Sequence, residues 1–419
     1  MSERRVDVVV VGAGIVGLGI AWEVVRSGRT VAVVDPEPAG GATYAAAGML
    51  APVGELHYQE EDLLELTLDS AARYPAFVAT LGPDPAEAGY RATRTITVGA
   101  DPADRRALLD LREAQLRNGL TVEPLTIREA RALEPLLSPQ LSAAFDVEQD
   151  HQVDPRRLAA RLQAALAEIA RRESGSSEPF IRQDATGLLH EHPADASSRV
   201  TGVALSDGSA VHADEVIVAN GLAAPELTGL PDGLRLPLRP VYGDILRLRI
   251  PAHLRPLLTA TIRGLVRGLP VYLVPRSDGT VVLGATQRED GSAAVSAGGV
   301  HQLLRDAQVL VPAVAELELI EVTARARPGT PDNAPLLGRV ARHLGAPADP
   351  AGDIPGLIIA TGFFRHGVLL TPVAAQHCVD LLDDAAGTRW ARFRPDRFSA
   401  PGLPAAPSTP SLETPGARS

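Results

Sequence analysis

The sequence predicts an α/β protein in which a parallel-sheet unit is joined to a smaller, strand-rich one. Three observations carry this prediction. Residues 6–12 (VDVVVVG) form a β-branched apolar run ending in glycine, helical character follows to about residue 27, and TVAVVD at 30–35 supplies a second strand. The chain therefore opens on a βαβ unit. The alternation returns late, as LIIATG at 357–362 followed by another helix. Between them lie strands without intervening helices, RPVYGDILRLRI at 239–250 and VYLVPRSDGTVVLGAT at 271–286, the second folded into a hairpin by its SDG turn.

Taken in order, residues 55–81 read as an acid-rich helix, RTITV at 94–98 as a strand and residues 101–119 as a helix. Asp154 caps the next helix, Pro155 takes its first position, and Leu158, Leu162, Ala165, Leu166 and Ile169 fall on one face built for burial. The polar stretch 173–198 reads as loops around FIRQDATGLL, and VTGVAL (200–205) and EVIVANG (215–221) as strands. Thr371 is expected to cap the last helix, with Pro372 at its first position. On this reading residues 1–90, 145–225 and 325–398 form the discontinuous parallel-sheet unit, and 91–144 with 226–324 the strand-rich one. Residues 399–419, rich in Pro, Ser and Ala, form a disordered tail.

Composition removes whole classes of function. The chain has 419 residues and a formal net charge of −11, which disfavours nucleic acid as a partner. All 40 basic residues are arginine, so Schiff-base chemistry and a P-loop lysine are excluded. One cysteine, Cys378, excludes an internal disulfide framework and any multi-cysteine metal site, and fits the reducing cytoplasm. The most apolar stretch, residues 8–22, is too short to span a bilayer; glycines interrupt it and no small-residue cleavage site follows, so neither a membrane span nor a signal peptide is expected. The sequence is compatible with a homo-oligomer and does not specify one.

The first motif with chemistry is Gly12-Ala13-Gly14-Ile15-Val16-Gly17, placed after a strand and opening a helix, with Asp35 closing the second strand. In this Rossmann-like context the glycines allow a tight turn and close backbone approach to a pyrophosphate at a helix N-terminus, while Asp35 can bond ribose hydroxyls and repel a 2′-phosphate. The run GGATYAAAGMLAP at 40–52 is small and uncharged, suited to lying against a flat ring system.

The order GAGIVG, VVD, GATYAAAGMLAP, VDPRRL, VIVANG, RPVYGDIL, VYLVPRSDGTVVLGAT, RARPGTPDNAPLLG and ATGFFRHGVLLTP resembles the D-amino-acid oxidase family of flavoproteins over residues 6–398. The resemblance implies a Rossmann-like FAD-binding domain with a smaller, strand-rich substrate domain, and FAD held without a covalent bond. It implies oxidative deamination of a small amino acid, with oxygen reduced to hydrogen peroxide. Within the family the pattern is most similar to members that oxidise glycine for thiamine biosynthesis. It places cofactor contacts at Gly12, Gly14, Ile15, Val16, Gly17, Asp35, Pro36, Ala42, Thr43, Ala47, Gly48 and Met49, at Ala185, and across Phe363, Phe364, Arg365, His366, Gly367, Val368 and Leu369. Ala185 stands where the family usually has a valine. Catalytic or substrate contacts fall on Arg327, Arg365 and Tyr272, with Met49, Ala51 and Gln287 around them, Gln287 replacing a methionine.

Physical chemistry supports part of this. A substrate carboxylate in a water-poor pocket needs a charged partner, and the planar guanidinium of Arg327 can hold it with two parallel hydrogen bonds. The bland alternative is an ion pair of Arg327, read as lying in a Pro/Gly turn, with Asp332 or Glu321. Arg365 either braces the flavin or faces solvent. His190 and His192 lack a third ligand and read as a solvated loop, so no metal is expected. The Glu60-Glu61-Asp62 run reads as a helix start or exposed face, and Cys378 as a small buried residue. Sarcosine or D-amino-acid oxidation or dehydrogenation, a flavin-binding sensor without turnover, and an NAD dehydrogenase remain open alternatives.

Overall fold

The structure, a computed structural model, describes residues 4–58, 60–174, 178–344 and 352–399. Of the tail expected at 399–419, only Ser399 is among these residues, where its backbone N–H donates to Asp396 O at 2.8 Å and its Oγ accepts from Arg235 N at 2.9 Å; 400–419 lie outside them.

The opening apolar run forms the strand Arg4–Val11, whose last four side chains, Val8 to Val11, are 0–2% exposed. Burying each such side chain is worth about 1.5–3 kcal/mol, which fixes this strand at the centre of a sheet. It runs parallel to Val31–Val34 on one side and to Ala210–Val218 on the other. Ala210–Val218 is itself parallel to Asp353–Thr361, and the short strand Phe180–Ile181 extends the sheet beyond Val31–Val34. Antiparallel strands Ala185–His190, Val200–Leu205 and Leu336–Ala341 complete eight strands. The stretch expected to be loops at 173–198 thus holds two strands; Gly187 and Leu188 are buried and pair with the Val200–Leu205 strand, which favours ladder bonding over solvent.

The second eight-stranded sheet runs in the order Glu318–Gly329, Arg239–Arg249, Thr280–Gly284, Leu269–Pro275, Thr261–Val266, Thr95–Gly99, Ala143–Val147, Glu123–Leu125. The hairpin expected from the SDG turn joins Leu269–Pro275 to Thr280–Gly284. A small third sheet sets Met49–Leu50 and Tyr90–Arg91 antiparallel to His151–Val153 on either side.

Helices Ile15–Arg26 and Gly367–Leu382 cross on the first sheet, so tightly that a Cβ on Gly19 would overlap Thr371. Glu61–Ala79 packs against the second of them. The closing helix corrects the expectation that Thr371 caps it: its first residue is Gly367, five residues before Pro372, and Pro372 lies inside it. A proline there removes one helical bond, and the neighbouring helix restores the missing partners. Tyr74 Oη donates to the Val368 carbonyl at 2.9 Å, Ser70 Oγ donates to Leu369 O at 2.6 Å, and Ser70 accepts from Val373 N at 3.3 Å. Cys378 is fully buried in this helix, which agrees with its reading as a small buried residue. Among the described residues no helix is long and apolar enough to cross a membrane.

Candidate functional site

A cavity of about 570 Å³ lies between the carboxyl ends of the parallel strands and one face of the second sheet. Open α/β sheets place ligands there, because helix N-termini and strand ends leave polar backbone groups unpaired.

On the first-sheet side the lining starts with Gly12, Gly14, Ile15, Val16 and Asp35. Gly12 has φ +103°, and a Cβ there would stand 2.6 Å from Ala219 O and from Asn220 Cα, so only glycine fits. Asp35 fastens the turn: Oδ2 accepts from Ala13 N at 2.6 Å and Oδ1 from Glu37 N at 2.8 Å. Thr43 Oγ1 accepts from Ile15 N at 2.9 Å, satisfying one orphan donor of the helix that follows. Ala42, Thr43, Ala47, Gly48 and Met49 line the cavity, as do Phe363, Phe364, Arg365, His366, Gly367, Val368 and Leu369.

Four expected residues stand apart. Gly17 is absent from the lining because it packs on the Gly12 carbonyl, leaving no room for a Cβ. Pro36 is exposed beside the lining, and Ala51 is buried behind it. Ala185 pairs with Leu205 in the antiparallel part of the sheet and does not reach the cavity.

On the second-sheet side, Arg327 lies in the strand Glu318–Gly329 and not in a turn. It is opposite Val241, and its Nη2 would stand 2.5 Å from a Cβ on Gly243, so the guanidinium rests on a position kept free of side chain. The carboxylates that could have claimed it are engaged elsewhere: Asp332 with Arg397 at 2.9 Å, Glu321 with Arg156. Arg327 makes no ion pair among the described residues. Tyr272 lines the cavity beside it; burial raises its hydroxyl, and the nearby guanidinium opposes this, leaving a pKa of about 12. Gln287 is exposed at the rim.

Arg365 neither faces solvent nor stands alone. Its Nε donates to Glu55 Oε2 at 3.1 Å and its Nη1 to Glu60 Oε1 at 3.3 Å, with a second contact from Nη2 to Glu60. The other oxygen of Glu55 pairs with Arg263, whose Nη1 also contacts Met49 Sδ at 3.8 Å. Glu55, Arg263 and Glu60 were not singled out as site residues in the sequence. Residues 55–58 resemble the start of an acid-rich helix, which in fact begins at Glu61. Asp150 turns this segment inward by accepting from Val53 N at 3.1 Å and Gly54 N at 2.7 Å.

Two buried polar atoms without a partner among the described residues, Asn220 Oδ1 and His366 Nε2, belong to residues lining the cavity. With the side-chain-free cradle at Gly12 and the first-turn amides at Gly367, Val368 and Leu369, they fit an elongated polar ligand such as a dinucleotide. Among the described residues no group of His, Cys, Asp or Glu could hold a metal ion.

A family model described as DAO, FAD dependent oxidoreductase, matches residues 7–381. The glycine oxidase of Geobacillus kaustophilus is 32% identical over 91% of this chain and 93% of its own. A crystal structure of glycine oxidase from that organism superposes with a TM-score of 0.78 at 28% identity, covering 94% of this chain and 99% of that one. The bifunctional protein ThiO/ThiG of Synechocystis sp. is 31% identical over 98% of this chain, which spans 58% of that longer protein. An iminodiacetate oxidase from Chelativorans sp. superposes with a TM-score of 0.77 at 27% identity, covering 93% of this chain and 98% of that one.

Proposed function

Since the chain belongs to the DAO family of FAD-dependent oxidoreductases, we propose that it oxidises glycine, or a similarly small amine, to the imine and hence glyoxylate, with oxygen reduced to hydrogen peroxide. FAD is its cofactor; when bound, it supplies the two-electron acceptor. The observation that carries the reading is Arg327, a guanidinium on the cavity wall with no ion-pair partner among the described residues, beside a protonated Tyr272. A free amino acid brings a carboxylate, and these two groups can hold it by charge and by a hydroxyl donor.

We assign cofactor binding to the parallel-sheet segments, 1–90, 145–225 and 325–398, and substrate binding to 91–144 and 226–324 together with Arg327. The turn at Gly12 and Gly14 would receive the pyrophosphate, the small residues from Ala42 to Met49 would lie along the ring system, and the amides at Gly367 to Leu369 would favour the negative charge of the reduced ring. The similarity to ThiO/ThiG supports a place in thiamine thiazole synthesis, and the single buried cysteine suits a cytoplasmic setting.

The test is a visible spectrum of the purified protein followed by anaerobic titration with glycine, sarcosine, D-alanine and D-phenylalanine, then oxygen uptake on each. Bleaching of the flavin and oxygen uptake by glycine in preference to D-phenylalanine are expected. A flavin that no amino acid reduces would point to a binding protein without turnover, and reduction without oxygen uptake to a dehydrogenase.

A further inference from the structure

Three guanidinium groups line the substrate side of the cavity, Arg263, Arg327 and Arg365, in a place where one would suffice for an amino acid's carboxylate. Their surroundings differ. The Glu55 carboxylate is shared, one oxygen on Arg263 and the other on Arg365, and Glu60 takes the remaining donors of Arg365. These side chains are 11–18% exposed, so water screens the pairs weakly. Burial works to raise the Glu55 carboxyl, but Arg263 and Arg365 more than reverse it and hold it ionised far below the usual carboxylate range. His366, buried beside the network, is pushed down to about 3 by burial and by Arg365, so it adds no charge near neutral pH. Arg325, also in the lining, turns away to the Gly40 carbonyl at 3.1 Å. Two carboxylates therefore neutralise two of these three guanidinium groups, and among the three the one without a carboxylate partner is Arg327, Arg325 being exposed and held by backbone carbonyls.

We propose that Glu55 sets the charge class of the substrate: by neutralising Arg263 and Arg365 it leaves Arg327, alone of the three, without a carboxylate partner, so the site accepts amines with a single carboxylate and rejects those with two. This rests on the reading of the cavity as an amino-acid oxidase site. A second carboxylate would have to displace Glu55 from two charge-assisted pairs or be buried against an ionised glutamate, and either event penalises the dicarboxylate. Removing the charge of Glu55 frees two donors already facing the cavity.

The proposal is tested on the FAD-loaded protein with ligands that cannot be oxidised at an amine, glycolate as the monocarboxylate and malonate as the dicarboxylate, each followed by the perturbation of the flavin spectrum. The wild-type protein should bind glycolate more tightly than malonate, and Glu55→Gln should shift the ratio of the two Kd values toward malonate by about tenfold or more. Glu55→Asp, which keeps the charge, should retain the wild-type preference, and the double variant Glu55→Gln, Arg263→Gln should recover part of it. An unchanged ratio in Glu55→Gln overturns the proposal. Should that variant fail to fold, the double variant decides: a ratio shifted toward malonate to the extent expected of Glu55→Gln alone overturns it. Wild-type protein that binds neither acid overturns the amino-acid reading itself, whereas glycolate binding with a ratio insensitive to Glu55 overturns only the role of Glu55.

Discussion

Tyr74 donates its hydroxyl to the Val368 carbonyl at 2.9 Å, the acceptor that Pro372 leaves unclaimed for want of an N–H. A buried carbonyl stripped of its partner costs about 1–3 kcal/mol. Tyr74→Phe, which removes only the hydroxyl, should lower unfolding stability by that amount in urea. Because Val368 lines the cavity, the variant should also release FAD more readily on dilution. Unchanged stability would mean that the carbonyl finds another donor.

Arg327→Ala should abolish carboxylate binding and keep FAD, at a cost of about 2–5 kcal/mol in kcat/KM for glycine, and Arg327→Lys should recover only part. Gly243→Ala makes the same point without touching the charge, because the new methyl group would stand where the guanidinium rests. A rise in KM with FAD content unchanged is expected; wild-type kinetics in both Arg327→Ala and Gly243→Ala would remove Arg327 from the substrate site.

Gly12→Ala should yield protein without flavin, since its φ of +103° and the 2.6 Å approach to Ala219 O and Asn220 Cα leave no place for a side chain. The ratio of flavin to protein absorbance measures this directly. In the wild-type protein, acid or heat precipitation should leave all the FAD in the supernatant, and flavin retained in the pellet would show a covalent link.

Acid should weaken the fold through His377, whose pKa burial lowers to about 4 against the opposing effect of Asp380. Between about pH 6.5 and 4 the unfolded chain binds the proton that the folded chain refuses, so stability falls as pH falls through that window, by up to about 3 kcal/mol. His377→Leu should flatten the slope of urea midpoint against pH between 7.5 and 4.5; a slope equal to that of the wild type would contradict this.

The parts of the fold legible in the sequence were those set by local patterning. Val8 to Val11 announce a buried strand, Gly12 to Gly17 a turn and helix start, and Leu158, Leu162 and Leu166 a helix face. What could not be read locally depends on distant partners. Pro372 looks like a helix start because nothing near it in the chain shows that Ser70 and Tyr74 supply the missing bonds. Glu55 and Glu60 look like surface acids until Arg263 and Arg365 are brought against them from more than 200 residues away. Asp332, in contrast, was a fair rival partner for Arg327 by sequence distance, and only the arrival of Arg397 shows it occupied.

The strand Ala210–Val218 pairs with Arg4–Val11 and with Asp353–Thr361, so the sheet that carries the Gly12 turn is assembled from both ends and the middle of the chain. Such pairings close large loops, and folding slows as they dominate. During synthesis Val8 to Val11 stay unpaired on one side until Ala210–Val218, about halfway along the chain, has left the ribosome, and Ala210–Val218 in turn waits for Asp353–Thr361. Residues 363–369, which complete the cavity lining, emerge later still, so FAD is expected to load only after most of the chain is made, and the apolar strand Arg4–Val11 keeps an open edge through the first half of synthesis.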